Sequence, residues 1–143
     1  YMSPEQVLGE VTDHRTDVFS LAAVAYRALT GRPAFAAPDA FEVLSGVASR
    51  QPPRPGDYAR MPPEVEMVLA IGLAKRVSDR FATAKDLATA LRAAAAGNLS
   101  EDLWRRSRAL LAAQHWAARA SIHPSSGSDV GHVESTVTSW ATA

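Results

Sequence analysis

The sequence predicts an all-α protein, and three observations carry that prediction. Residues 18–29 are apolar or small at nearly every position, so no polar face stands opposite an apolar stripe as it would on a surface helix. The run is shorter than the roughly 20 apolar residues that a bilayer demands, so the surroundings it asks for are other helices of a soluble domain. Further along, Pro38-Asp39, Pro62-Pro63-Glu64, Thr83 and Ser100 each provide a helix start signal ahead of apolar residues at helical spacing. From Ser121 onward the chain is Ser, Thr and Gly with few apolar residues, which cannot form a core and predicts a disordered tail.

Taken in order, residues 1–11 read as loop followed by a short helical turn, with Pro4 fixing its own backbone and disfavouring a helical Ser3. In the central helix Thr16 or Asp17 is placed to cap the first turn by accepting from free backbone N–H groups, and Gly31 to close the last. After Gly31-Arg32-Pro33-Ala34-Phe35 the chain turns, and Pro38-Asp39 opens a short helix through about Val47 with Phe41, Leu44 and Val47 on one face. Gln51-Pro52-Pro53-Arg54-Pro55-Gly56 is a loop by composition; its prolines favour extended backbone, and a ligand for proline-reading domains is the alternative. Pro62-Pro63-Glu64 begins a core helix with Val65, Met67, Val68, Leu69, Ile71 and Leu73, ending near Lys75-Arg76. Thr83 caps a helix to about Ala96 with Leu87 and Leu91 on one face and Gly97 as its stop.

Ser100 caps one more helix, to about Arg119. Leu103, Trp104, Leu110 and Leu111 are its packing residues, while Arg105, Arg106 and Arg108 lie mainly outward, as a solvated basic face or a surface for another protein. The domain reading is therefore residues 1–96 as one helical unit, residues 97–120 as an additional amphipathic helix, and residues 121–143 as the tail.

Composition excludes several function classes. Fifteen basic and 15 acidic residues balance, so no overall field favours nucleic acid or an anionic membrane. The chain has no cysteine, which removes disulfides, thiolate catalysis and cysteine metal sites, and fits a reducing cytoplasm. No signal-peptide pattern or membrane segment is present. His14, His115, His123 and His132 show no metal-ligand spacing. Ser128, Asp129 and His132 are close in sequence, but nucleophile triads assemble across a rigid fold rather than in a floppy tail.

Three ordered motifs add a family. Asp17-Val18-Phe19-Ser20-Leu21, running on to Gly31-Arg32-Pro33-Ala34-Phe35, resembles the central helix of the large lobe of protein kinases, in the style of bacterial Hanks-type serine/threonine kinases. Tyr1-Met2-Ser3-Pro4-Glu5-Gln6 resembles the segment closing a kinase activation loop, with Ser3-Pro4-Glu5 where the family usually has Ala-Pro-Glu. Leu73-Ala74-Lys75-Arg76-Val77-Ser78-Asp79-Arg80-Phe81 resembles the family's late Arg-containing motif. The likeness covers roughly residues 1–95 and implies the helical lower part of a kinase large lobe.

The resemblance also assigns residues. Tyr1, Met2 and Ser3 become the floor of a substrate-peptide groove, with a fraying terminal segment as the alternative. Glu5 and Arg80 become a long-range ion pair pinning the activation-segment end, the alternative being two solvated charges. Asp17 would anchor the catalytic-loop backbone, besides its local role as a cap. Phe19 stands where Trp is usual and Ala22 where Gly is usual. Arg27 stands where kinases often have a Glu facing basic substrate residues, so a cation here would repel them; an exposed Arg on a helix end is the other reading. The helix at residues 39–47 corresponds to a common docking surface, ordinary packing being the alternative.

The catalytic parts of a kinase do not occur. There is no Gly-x-Gly-x-x-Gly, no His-Arg-Asp loop and no Asp-Phe-Gly, and Asp13-His14-Arg15 has the wrong order and lies after the Pro-Glu motif. The chain starts with Tyr1 in mid-motif. The expectation is a C-terminal fragment of a kinase that, intact, transfers the ATP γ-phosphate to protein Ser or Thr with Mg2+, the fragment itself holding neither nucleotide nor metal and no catalytic residue. Its partners would be a protein substrate or regulator and the missing N-terminal portion. The alternative is a free-standing, kinase-derived interaction module.

Overall fold

A computed structural model describes residues 1–119. The expected tail, with His123, His132 and the Ser128-Asp129 pair, lies outside the described residues. Six α-helices follow one another: α1 (Pro4–Leu8), α2 (Arg15–Thr30), α3 (Ala40–Ser49), α4 (Pro63–Gly72), α5 (Ala84–Ala95) and α6 (Glu101–Ala113). Single 3-10 turns stand at Pro55–Asp57 and Val77–Asp79. There is no strand among the described residues, which are helical as predicted.

The helix bounds follow local chemistry. The Ser3 backbone N–H donates to Gln6 Oε1 at 2.9 Å at the start of α1, and Gly9 ends it in the left-handed conformation at φ 68°. Asp39 Oδ1 accepts from the Glu42 N–H at 2.8 Å to open α3, and Thr83 Oγ1 accepts from the Asp86 N–H at 3.1 Å to open α5. At α2 the expected caps are displaced. The helix begins two residues ahead of Asp17, where Asp13 Oδ1 accepts from the Arg15 N–H at 2.8 Å, so Thr16 and Asp17 lie within the first turn and neither is the N-cap. The end is as read, with Gly31 at φ 71° donating to the Arg27 carbonyl.

The core joins Val18, Phe19, Ala22, Ala23 and Tyr26 of α2 to Val65, Val68, Leu69 and Ile71 of α4 and to Leu87, Ala90 and Ala94 of α5. All-round burial belongs to α4, not to α2. Six consecutive residues from Val68 to Leu73 are buried, because α4 packs against α2, α5 and α6 together. One side of α2 is open: Leu21, Val24 and Leu29 are 38%, 44% and 44% exposed. Gly72 is what lets α4 approach α2, since a Cβ there would stand 2.6 Å from the Ala22 Cβ.

Two further expectations are corrected. Phe41 and Leu44 of α3 are exposed, Phe41 by 80%, and of that face Val47 is the residue buried in the core. Helix α6 ends at Ala113 rather than near Arg119, because the chain leaves it to strap the proline loop. There the Ala117 N–H donates to the Pro52 carbonyl at 3.1 Å and Gln114 Nε2 to the Ser49 carbonyl at 3.1 Å. Arg106 does not face outward as expected; it is half-buried and donates to the Asp79 and Arg80 carbonyls at 3.2 Å each.

Candidate functional site

The first ten residues are held to the bundle by one buried ion pair. Arg80 Nη2 stands 2.7 Å from Glu5 Oε2 and Nη1 2.8 Å from Glu5 Oε1, with the two side chains 0% and 2% exposed. Such a two-pronged contact uses the planar fork of the guanidinium. The remaining donors are also used: Arg80 Nε reaches the Ala74 carbonyl at 2.8 Å, and Nη1 the Arg15 carbonyl at 3.1 Å. Thr16 Oγ1 donates to Glu5 Oε1 at 2.8 Å, which is why a hydroxyl in the first turn of α2 is buried. Burial alone would push the Glu5 carboxyl up, but hydrogen bonds from Arg80 and Thr16 and the Arg80 charge together hold it at about 2.

Above this anchor, Tyr1 and Met2 are 61% and 50% exposed while Ser3 is fully buried. Ser3 Oγ bonds to Gln6 Oε1 at 3.1 Å, so its side chain serves the start of α1 and does not reach an outer surface. Tyr1 is tied down rather than free: Ser20 Oγ donates to its carbonyl at 2.8 Å and Arg27 Nη1 to its hydroxyl at 3.3 Å. Beneath Tyr1 and Met2 lies a cavity of about 190 Å³, lined also by Phe19, Arg27, Phe35 and Val47. Asp17 is exposed at the N-terminal end of the open side of α2. The structure thus brings Glu5, Thr16 and Arg80 together, sets Tyr1 and Met2 beside Arg27, and leaves Asp17 apart from both groups.

Sequence reasoning missed three residues. Thr16 was read as a cap, and nothing local marks it as a partner of Glu5. Glu66 is 2% exposed and accepts from Arg54 Nε at 2.8 Å, and a Cβ at Gly56 would displace its carboxylate. Lys75 turns inward: its Nζ is buried without a hydrogen-bond partner among the described residues. It sits 4.2 Å from the Phe35 ring centroid and 5.3 Å from that of Phe19, the two rings being stacked at 6.1 Å. Burial first, and then the Arg80 and Arg50 charges, push its amine down to about 7.

No family model matches the chain. Among curated proteins it is 35% identical over 92 residues to the serine/threonine-protein kinase PknD of Mycobacterium tuberculosis, a match covering 63% of this chain and 14% of PknD. It is 38% identical over 91 residues to the kinase PknF of the same species, covering 64% of this chain and 19% of PknF. The kinase PknB of Mycolicibacterium smegmatis is 38% identical over 88 residues, 61% of this chain and 14% of PknB. The chain is related to the bacterial Hanks-type serine/threonine kinases. Among solved structures, the PknI kinase domain of Mycobacterium tuberculosis superposes with a TM-score of 0.56 at 27% identity, over 66% of this chain and 35% of that one. The matched two thirds of the chain therefore has the helical fold of a kinase large-lobe segment, and the chain spans 14 to 19% of the length of the kinases named.

Among the described residues no group of three or more His, Cys, Asp or Glu side chains is arranged to hold a metal ion, and no helix is long and apolar enough to cross a membrane. The parts that hold ATP and Mg2+ in kinases, a Gly-rich loop, a strand Lys with its Glu, and the metal-holding Asp, are not in the sequence. The residues present do not fit those groups.

Proposed function

We propose that this chain is the C-terminal part of the large lobe of a cytoplasmic serine/threonine protein kinase, contributing the floor of the protein-substrate groove and the scaffold beneath it. The reaction of the intact enzyme would be transfer of the ATP γ-phosphate to a protein Ser or Thr, with nucleotide, Mg2+ and catalytic base supplied upstream of Tyr1. The observation that carries this reading is the buried Glu5–Arg80 pair, which fixes the backbone leading back to Tyr1 and Met2 on a rigid bundle. Positioning of this kind is what a phosphoryl-transfer enzyme asks of its peptide-binding side, because the reaction depends on orientation and electrostatics. The open side of α2, with Leu21 and Val24 exposed next to Asp17, supports it as the face that would receive the upstream half.

A test has two arms. Calorimetric titration of the folded 143-residue chain with Mg-ATP is expected to show no saturable heat up to millimolar nucleotide; micromolar binding would overturn the division of labour. Coding sequence in frame upstream is expected to contain the Asp-Phe-Gly and His-Arg-Asp regions. A start codon near Met2 instead would favour a free-standing interaction module, for which the 80% exposure of Phe41 on α3 is the supporting observation.

A further inference from the structure

A second cavity, also of about 190 Å³, lies between α3, the turn after α2 and the strap that follows α6, and its lining includes Arg32, Phe35, Glu42, Arg50, Gln51 and Tyr58. Its charge is unbalanced. Glu42 is the one acid of the lining, and neither Arg32 nor Arg50 forms an ion pair among the described residues. At its inner wall Gln51 is 1% exposed, and neither its Nε2 nor its Oε1 has a hydrogen-bond partner among the described residues. A buried amide left in this state destabilises the fold, and a bound polar group would relieve it.

The excess of positive charge continues behind Phe35. Arg50 folds back over Gly46, where a Cβ would meet Arg50 Nη2 at 3.2 Å and the Phe35 ring at 3.7 Å. On the same ring sits the unpartnered Lys75 amine, 4.2 Å from its centroid. The charged groups that face Lys75 are Arg80 and Arg50, and the carboxylate nearest to Arg80, that of Glu5, is already taken up by it. Arg32 and Arg50, without counterions among the described residues, around a cavity with an unpartnered amide in its wall, are what an anion site contains before the anion arrives.

We propose that this cavity is an oxyanion site that takes a phosphate group, held by Arg32 and Arg50 with the Gln51 amide at its floor. Two guanidinium groups suit a dianion in a way that one surface Lys does not. The phosphate would come either free from solution or as a phosphorylated Ser or Thr side chain of a peptide.

The test is calorimetry on the full 143-residue chain with inorganic phosphate against chloride at equal ionic strength, and with a phosphothreonine peptide against its unphosphorylated form. Saturable phosphate binding is expected, weakened about tenfold or more in Arg50→Gln and in Arg32→Gln by loss of a charge-assisted contact. Both arginines are exposed, so these variants keep the fold, which a thermal melt verifies. Tighter binding of the phosphopeptide assigns the site to a modified side chain, and equal or weaker binding assigns it to free phosphate. A folded chain whose phosphate heats do not exceed those of chloride overturns the site, as does binding unchanged in both arginine variants.

Discussion

Glu5 and Arg80 are 75 residues apart in sequence and meet where no water reaches either charge, so each is tolerable only because the other is there. Removing one partner strands the other in a low-dielectric interior, which typically costs about 3 to 5 kcal/mol. Glu5→Gln and Arg80→Met are each expected to lower unfolding free energy by that order in urea denaturation. The double variant should lose clearly less than the sum, because the stranded charge is then absent. Additive losses would mean that the pair contributes no coupling and that packing of Arg80 on Phe19, 5.0 Å from its ring centroid, accounts for its effect. Thr16→Val removes one donor to an ionised carboxylate that keeps its guanidinium, and should cost about 1.5 to 3 kcal/mol.

At the scale of helices the centre of gravity is α4. It is only ten residues long, yet α2, α5 and α6 all pack on it, whereas the longer α2 keeps one side open. Leu69→Ala in α4, at a fully buried position, is expected to cost about 2 to 5 kcal/mol, and Val24→Thr on the open side of α2 to fall within about 0.5 kcal/mol; thermal and urea unfolding distinguish the two. This contrast also marks what was legible in the chain. Helix existence and most ends were readable because caps and glycines act locally, as at Asp39, Thr83 and Gly31. The choice between α2 and α4 as the buried centre was not, because both are apolar nearly all round and the sequence does not say which neighbours come. The ion pair was reached through the resemblance rather than through periodicity. Lys75 was not reached at all: nothing in Ala74-Lys75-Arg76 separates a cation folded onto Phe35 from its exposed neighbour Arg76.

For the molecule as a whole, Glu5 and Lys75 are both held below their ordinary values, which becomes visible as a pH profile with two rising limbs. Glu5 is held at about 2 against an ordinary 4.5, so between those values the unfolded chain binds more protons than the folded one. Stability from this group is complete above about 4.5 and is lost as pH falls toward about 2. Lys75 is a base pushed down to about 7 from 10.5, and between those values it is again the unfolded chain that holds more protons. Stability is therefore expected to rise a second time from about 7 to 10.5, over a range where an ordinary surface lysine contributes no slope. Denaturant unfolding in phosphate-free buffers should show both limbs. Glu5→Gln should remove the acid limb and leave the alkaline one, and Lys75→Met should flatten the alkaline limb while leaving the acid one. A parent profile level from neutral pH to 10.5 would mean that the Lys75 amine is charged and solvated in the folded chain, and the stack of Phe19, Phe35 and Lys75 would then have to be open to water.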